Sequence, residues 1–306
     1  MIVERLGNNS PETLGIMAVR SCGQAKSTVD AQALCDCHCE DCLQTLNVFA
    51  DVGSSDPKRN DKREFLFRVL DVGDTAVMKL FKNGTEVATL NTGAYGTFYD
   101  LGSLGTGDQQ YYTGYLIEWQ NVLSAHGVGD YYVKAELIVY GTAIEVFSQI
   151  YTLMNYDEET VDGTVRIITY QNGNIESSDF DYTDLNWYQE IRIKGIFWQK
   201  RPELTTDTYF TTARKVTQIQ DSIKYKYTLE TRFMTGKTSD YLVSNKMLAN
   251  DILITDYNKC NTEAYCDLPV TIEEFDTTEE LSYFRGRYHV ITFADRTQNI
   301  RKRNFK

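Results

Sequence analysis

YYVKAELIVYGTAIEVFSQI, residues 131–150, is the stretch whose reading decides the fold class. Apolar side chains alternate with Lys134, Glu136, Thr142 and Glu145 along most of its length. Period-two alternation is the mark of a β-strand with one face in a core. Working outward, the same pattern recurs at 64–69, 75–82 and 86–91, and Asn83-Gly84 between the last two signals a type I′ hairpin. Residues 111–123 read as a further strand. Residues 161–170 read as half of a second hairpin, pairing with the chain from Ile175 through Asn172-Gly173.

Further along, 188–200 (YQEIRIKGIFWQK) is predicted as a strand with Ile191, Ile193 and Phe197 facing inward. Residues 206–219 and 222–233 suit a long antiparallel pair turning at Gln220-Asp221. Strands are also expected at 251–256, 268–274 and 287–294. One helix is predicted over 239–250, where Tyr241, Leu242, Asn245, Leu248, Ala249 and Ile252 recur at helical spacing behind a Thr/Ser/Asp cap. Only four prolines occur in the chain, which suits a largely paired backbone because proline is kept out of sheet interiors. The expected class is mainly β: two antiparallel sandwich-like or barrel-like domains, the second with the helix, preceded by an arm. The boundaries read as 1–56 for the arm, 57–155 for the first β domain and 156–306 for the second, with 53–63 as the polar break.

A length of 306 residues is enough for about two domains, each with its own core. No apolar run reaches the ~18 residues of a membrane span. The N-terminal stretch has acids and a proline where an export signal needs a basic start and an unbroken apolar run, so synthesis and use without secretion are expected. A net charge of −12 disfavours free binding to nucleic acid phosphates.

Residues suited to catalysis are scarce. The three histidines, His38, His126 and His289, lie far apart, and no nucleophile-elbow or phosphate-cradling pattern accompanies them. The sharpest local signal is CDCHCEDC, holding Cys35, Cys37, Cys39 and Cys42, with Cys22 upstream. Thiolates favour Zn²⁺, and Cys39-x-x-Cys42 has chelating spacing. Packing cysteines, a zinc site and disulfides all fit this cluster; no other cofactor is expected. Cys260 and Cys266 could bridge or stay idle. Tyr111, Tyr112 and Tyr131 are candidate interface residues, since tyrosine buries much area at small entropic cost. With Tyr115 and Tyr132 the same set could form a sugar-stacking platform. The C-terminal segment RTQNIRKRNFK supplies Arg296, Arg301, Lys302, Arg303 and Lys306 in an otherwise acidic chain; it could touch DNA phosphates, but the favoured expectation is that it clamps onto the acidic surface of a neighbouring copy.

WYQEIRIKGIFWQKRP from Trp187, followed by YKYTLETRFMTGKTSDYLVSNKMLANDILITDYN from Tyr225, resembles structural proteins of tailed bacteriophages of the crAss-like group. The resemblance covers about the last 120 residues. It implies a virion component of the neck or tail, a β-rich protein forming a cyclic homo-oligomeric ring between portal and tail. Neighbouring virion proteins would be its partners, and DNA would pass through without sequence-specific contact. The alternative is a carbohydrate-binding or receptor-binding tail module. No enzymatic activity is expected on either reading.

Overall fold

The structure is a computed structural model that describes residues 46–69, 75–90, 93–104, 110–139, 142–148, 150–171, 187–210, 216–235, 238–239, 242–261, 265–280, 286–296 and 299–302. The chain is mainly β, with several antiparallel sheets.

The first unit contains β1 (Leu46–Ala50), β2 (Lys62–Val69), β3 (Thr75–Lys82), β4 (Thr85–Thr89), β5 (Gly96–Leu104) and β6 (Gln110–Glu118). Helix α1 (Trp119–His126), β7 (Gly129–Val139), β8 (Thr142–Phe147) and β9 (Tyr151–Asn155) complete it. One sheet runs β1-β9-β7-β3-β4, with β8 also on β7, and β2-β6-β5 form another. Phe65, Tyr115 and Ile117 of the smaller sheet join Met78, Leu80, Val133, Ala135 and Leu153 of the larger in one core. Along β7, Val133 and Ala135 point inward. Lys134 and Glu136 point outward, into ion pairs with Glu145 and Lys79. Alternation in the sequence is therefore alternation in space. The expected turn is present too: Asn83 and Gly84 have φ of 50° and 81° and connect β3 to β4.

The second unit contains β10 (Thr164–Gln171), β11 (Trp187–Phe210), β12 (Val216–Thr231), β13 (Met234–Thr235), β14 (Asp251–Asp256), β15 (Leu268–Glu280), β16 (Gly286–Asp295) and β17 (Asn299–Lys302). Antiparallel pairings run β10-β11-β12-β16-β15-β14 and return to β10, so these strands close into a barrel. Closure removes free edges from the body of the sheet. Its interior is filled by Val165, Ile167, Ile191, Ile193, Phe197, Leu229, Ile254, Ile291 and Phe293. Three of these, Ile191, Ile193 and Phe197, are the inward residues predicted for 188–200. Beyond the barrel, β11 and β12 run on as a two-stranded ribbon, Arg201–Phe210 against Val216–Lys226, with β17 added along Gln220–Ile223 of β12.

Several local expectations are refined by the structure. Residues 111–123 do not form one strand: β6 stops at Glu118, and Trp119, Val122 and Leu123 then bury a helical face. The described helix therefore lies in the first unit. Where the sequence predicts the second unit's helix, the described residues show α-helical backbone at Thr238 and Ser239, both buried, and a π-helical turn at Leu242–Lys246. Gln220-Asp221 is not the turn of this pair: both residues lie within β12, opposite Asp207 and Thr206 of β11. β10 pairs with β11 from Trp187, and Asn172-Gly173 with the chain up to residue 186 lies outside the described residues. Within the segment read as an arm, β1 pairs in parallel with β9 as part of the first sheet.

Candidate functional site at the joint between the two units

β2 begins with charge where a strand usually alternates: Asp61-Lys62-Arg63-Glu64. On the barrel, Arg166, Glu190 and Arg192 occupy the face opposite the apolar interior. All three are nevertheless buried, as are Asp61, Arg63 and Glu64. The charged faces of the two units cover each other.

The geometry is specific. Asp61 accepts from Arg192 Nε at 2.9 Å and Nη2 at 2.6 Å, and from the Phe49 amide at 2.9 Å. Such two-pronged contacts are the strong form of an ion pair. The Arg192 guanidinium also lies 5.1 Å from the Phe49 ring centre and 4.2 Å from that of Tyr257. Arg63 donates to the Tyr151 hydroxyl at 3.2 Å and to the Glu190 carbonyl at 2.6 Å. The Glu64 carboxylate accepts from the Glu190 amide at 3.0 Å and from Lys246 Nζ at 3.4 Å. The Glu190 carboxylate accepts from the Lys62 amide at 3.2 Å and from the Tyr188 hydroxyl. Arg166 spans to the Pro57 carbonyl at 2.7 Å and to Asp267 at 3.3 Å.

Burial sets the electrostatics. Loss of solvent, aided by the Asp61 charge, raises the Glu190 carboxyl to about 7. Burial lowers the Lys246 ammonium to about 7, against the opposing pull of Glu64. Burial works against the charge on Arg192 as well, but there the Asp61 carboxylate more than compensates and the guanidinium is held charged. Charged groups this deep have only each other and the surrounding backbone and hydroxyl groups for solvation. Removing one partner is therefore far more costly than the pair is stabilising.

Beside this joint opens a cleft of about 280 Å³. Its lining is mixed, Leu46, Ile193 and Met234 beside Asn47, Thr164, Arg192 and Thr238, and Lys194, Arg232 and Phe233 stand exposed at its rim. β11 and β12 place the two cations side by side, since the Arg232 amide donates to the Lys194 carbonyl at 2.9 Å.

The residues singled out from sequence are distributed differently. Tyr131 is not at a surface: it is fully buried in the first core, its hydroxyl donating to the Gly127 carbonyl at 2.6 Å, and burial raises its pKa to about 12. Tyr115 and Tyr132 are buried too, so no sugar-stacking platform forms from them. The backbones of Tyr111 and Tyr112 pair within β6. Arg296 makes its ion pair with Asp251 of the same chain, and Arg301 and Lys302 lie in β17 against β12. Arg303 and Lys306 lie outside the described residues, as do Cys22, Cys35, Cys37, Cys39 and Cys42. Cys260 and Cys266 are free thiols, both exposed. No group of His, Cys, Asp and Glu suited to a metal occurs among the described residues.

Two histidines gain partners that spacing could not reveal. His289 Nε2 lies 2.9 Å from Ser239 Oγ, and its Nδ1 lies 3.0 Å from Thr277 Oγ1. Both Ser239 and His289 are buried, so the contact satisfies polar groups within the barrel wall. His126 Nε2 lies 3.0 Å from the Tyr95 hydroxyl at the end of α1.

The joint itself was invisible to sequence reading. Arg166, Glu190 and Arg192 look like the solvent side of amphipathic strands, and Asn60 and Asp61 look like loop. A signal existed only in the density of charge on 61–64 within a strand. Comparison with family models, with curated proteins and with solved structures finds no match to this chain.

Proposed function

We propose that the chain is a structural subunit of a tailed-phage virion, assembling as a ring in the neck or tail between portal and tail around the DNA channel. The observation that carries this reading is the β11–β12 ribbon. It leaves the closed barrel as a paired projection, and its Leu204 is 63% exposed, directly opposite Ile223, which is 37% exposed. A monomer has little use for a projecting apolar pair, whereas a subunit that must grip a neighbour does. Support also comes from the joint, which locks two β units into one body, and from the resemblance of residues 187–202 and 225–258 to crAss-like virion proteins. A ring requires each subunit to carry two different complementary surfaces. The acidic net charge of −12 suits a conduit that DNA traverses without adhering. No described helix is long and apolar enough to cross a membrane.

Mass photometry of the purified chain tests the assembly, and imaging of intact particles tests the location. A closed multimer and density between portal and tail are expected. A chain that stays monomeric in the presence of the other virion proteins would overturn the proposal.

A further inference from the structure

We propose that the cleft beside the joint binds a small phosphate monoester, its phosphate held by Lys194 and Arg232 and its apolar body laid against Phe233. The inference does not depend on how copies of the chain assemble.

Strand register creates the charge. The pairing that sets Gly195 against Thr231 puts Lys194 opposite Arg232, and on its other side Lys194 faces Thr164 of β10. Two cations directly across from each other repel. Elsewhere the chain relieves such charge with carboxylates, as Lys134 does with Glu136 and Glu145. Lys194 and Arg232 are exposed, yet neither has a carboxylate partner among the described residues. A chain with 43 acidic side chains against 31 basic ones therefore holds an uncompensated pair of cations at the mouth of a cleft.

Two other polar groups of the lining are already engaged. Arg192 is bound through Nε and Nη2 to Asp61. Thr164 Oγ1 donates to the Val161 carbonyl at 2.6 Å and accepts from Arg192 Nη1 at 3.2 Å. Asn47 differs, since its side-chain amide has no partner among the described residues. The free donors are thus a guanidinium fork, an ammonium and an amide.

A phosphate monoester matches that set. It carries roughly two negative charges near neutral pH and three acceptor oxygens, and arginine takes two of those oxygens as a planar fork. A carboxylate offers one charge and two oxygens. The rest of the wall selects the ligand's body. Leu46 and Met234 line it, and the Phe233 ring, 54% exposed at the rim, is held edge-on by Tyr288 with centroids 5.3 Å apart. A volume of about 280 Å³ suits a small molecule. A net charge of −12 opposes a long polyanion far more than a single dianion.

Isothermal titration calorimetry of the full chain at low salt, with phenyl phosphate as the probe, tests the site. A Kd of about 1 mM or tighter is expected. Inorganic phosphate and benzyl alcohol, each resembling half of the probe, should both bind at least roughly tenfold more weakly. Lys194→Gln with Arg232→Gln, changed only at exposed positions, should melt within a few degrees of the parent and weaken phenyl phosphate at least roughly tenfold. Phe233→Ala should weaken phenyl phosphate and leave inorganic phosphate unchanged. A single-stranded oligonucleotide at the same phosphate concentration should not compete. Absence of phenyl phosphate binding below about 10 mM, equal binding of either half-ligand, or unchanged affinity in the folded double variant would overturn the site. Competition by the oligonucleotide would overturn it too, since the cations would then be a contact for a polymer. The ligand comparison on the parent needs no variant and decides the case by itself if the double variant is unstable.

Discussion

At the scale of single residues, Glu190 shows how position overrides type. On an open strand it would be an ordinary carboxylate; under β2 it titrates near 7 because burial and Asp61 disfavour its charge. Its folded pKa lies above the unfolded value of 4.5, so its contribution to stability is fully present below pH 4.5 and is lost as pH rises through about 7. The loss from this group is on the order of 3 kcal/mol. Glu190→Gln keeps hydrogen-bonding capacity toward Tyr188 and the Lys62 amide but cannot titrate. Urea unfolding midpoints at pH 5 and pH 7 should lie closer together in this variant than in the parent, and an unchanged gap would contradict the assignment. Lys246 acts in the opposite sense: its pKa is depressed to about 7, so its contribution is present at alkaline pH and lost as pH falls through about 7.

Among the elements, β11 does the most different things. Its first part closes the barrel with Ile191, Ile193 and Phe197, the middle approaches β12, and the far part leaves as the ribbon. Gly195 marks the middle: a β-carbon there would stand 2.7 Å from the Glu230 carbonyl oxygen and 3.2 Å from the Thr231 α-carbon. Backbone cannot yield as a side-chain tip can. Gly195→Ala should therefore force β11 and β12 apart and lose about 1–3 kcal/mol of stability in denaturant unfolding. A neutral result would mean that the strands separate without cost. The inward residues of β11 were legible in the sequence, because their spacing of two is a property of any strand. Its length was not: the sequence reads 188–200 and 206–219 as separate strands, whereas β11 runs on through Trp187–Phe210, its pairing with β12 shifted in register only between Trp198 and Arg201 and between Asp207 and Thr208.

For the molecule as a whole, the buried ionic joint is expected to make the two β units unfold together. Asp61→Asn would leave Arg192 buried between Phe49 and Tyr257 without its carboxylate, at about 3–5 kcal/mol. Calorimetry should show one cooperative transition in the parent and two in this variant, as the barrel and the first unit separate before either loses its own core. Added salt should change the parent transition little, since charges shielded from solvent are weakly screened.

The mainly β class, the Asn83-Gly84 hairpin and the apolar interior of the second unit were decided by sequence alone, because alternation and turn chemistry are local and short-ranged. Barrel closure, the helix at Trp119–His126, the burial of Tyr131 and the meeting of Asp61 with Arg192 were decided only by tertiary structure. Each depends on what covers a face, and a strand carries the same two-residue period whether its polar side meets water or another unit's opposite charge.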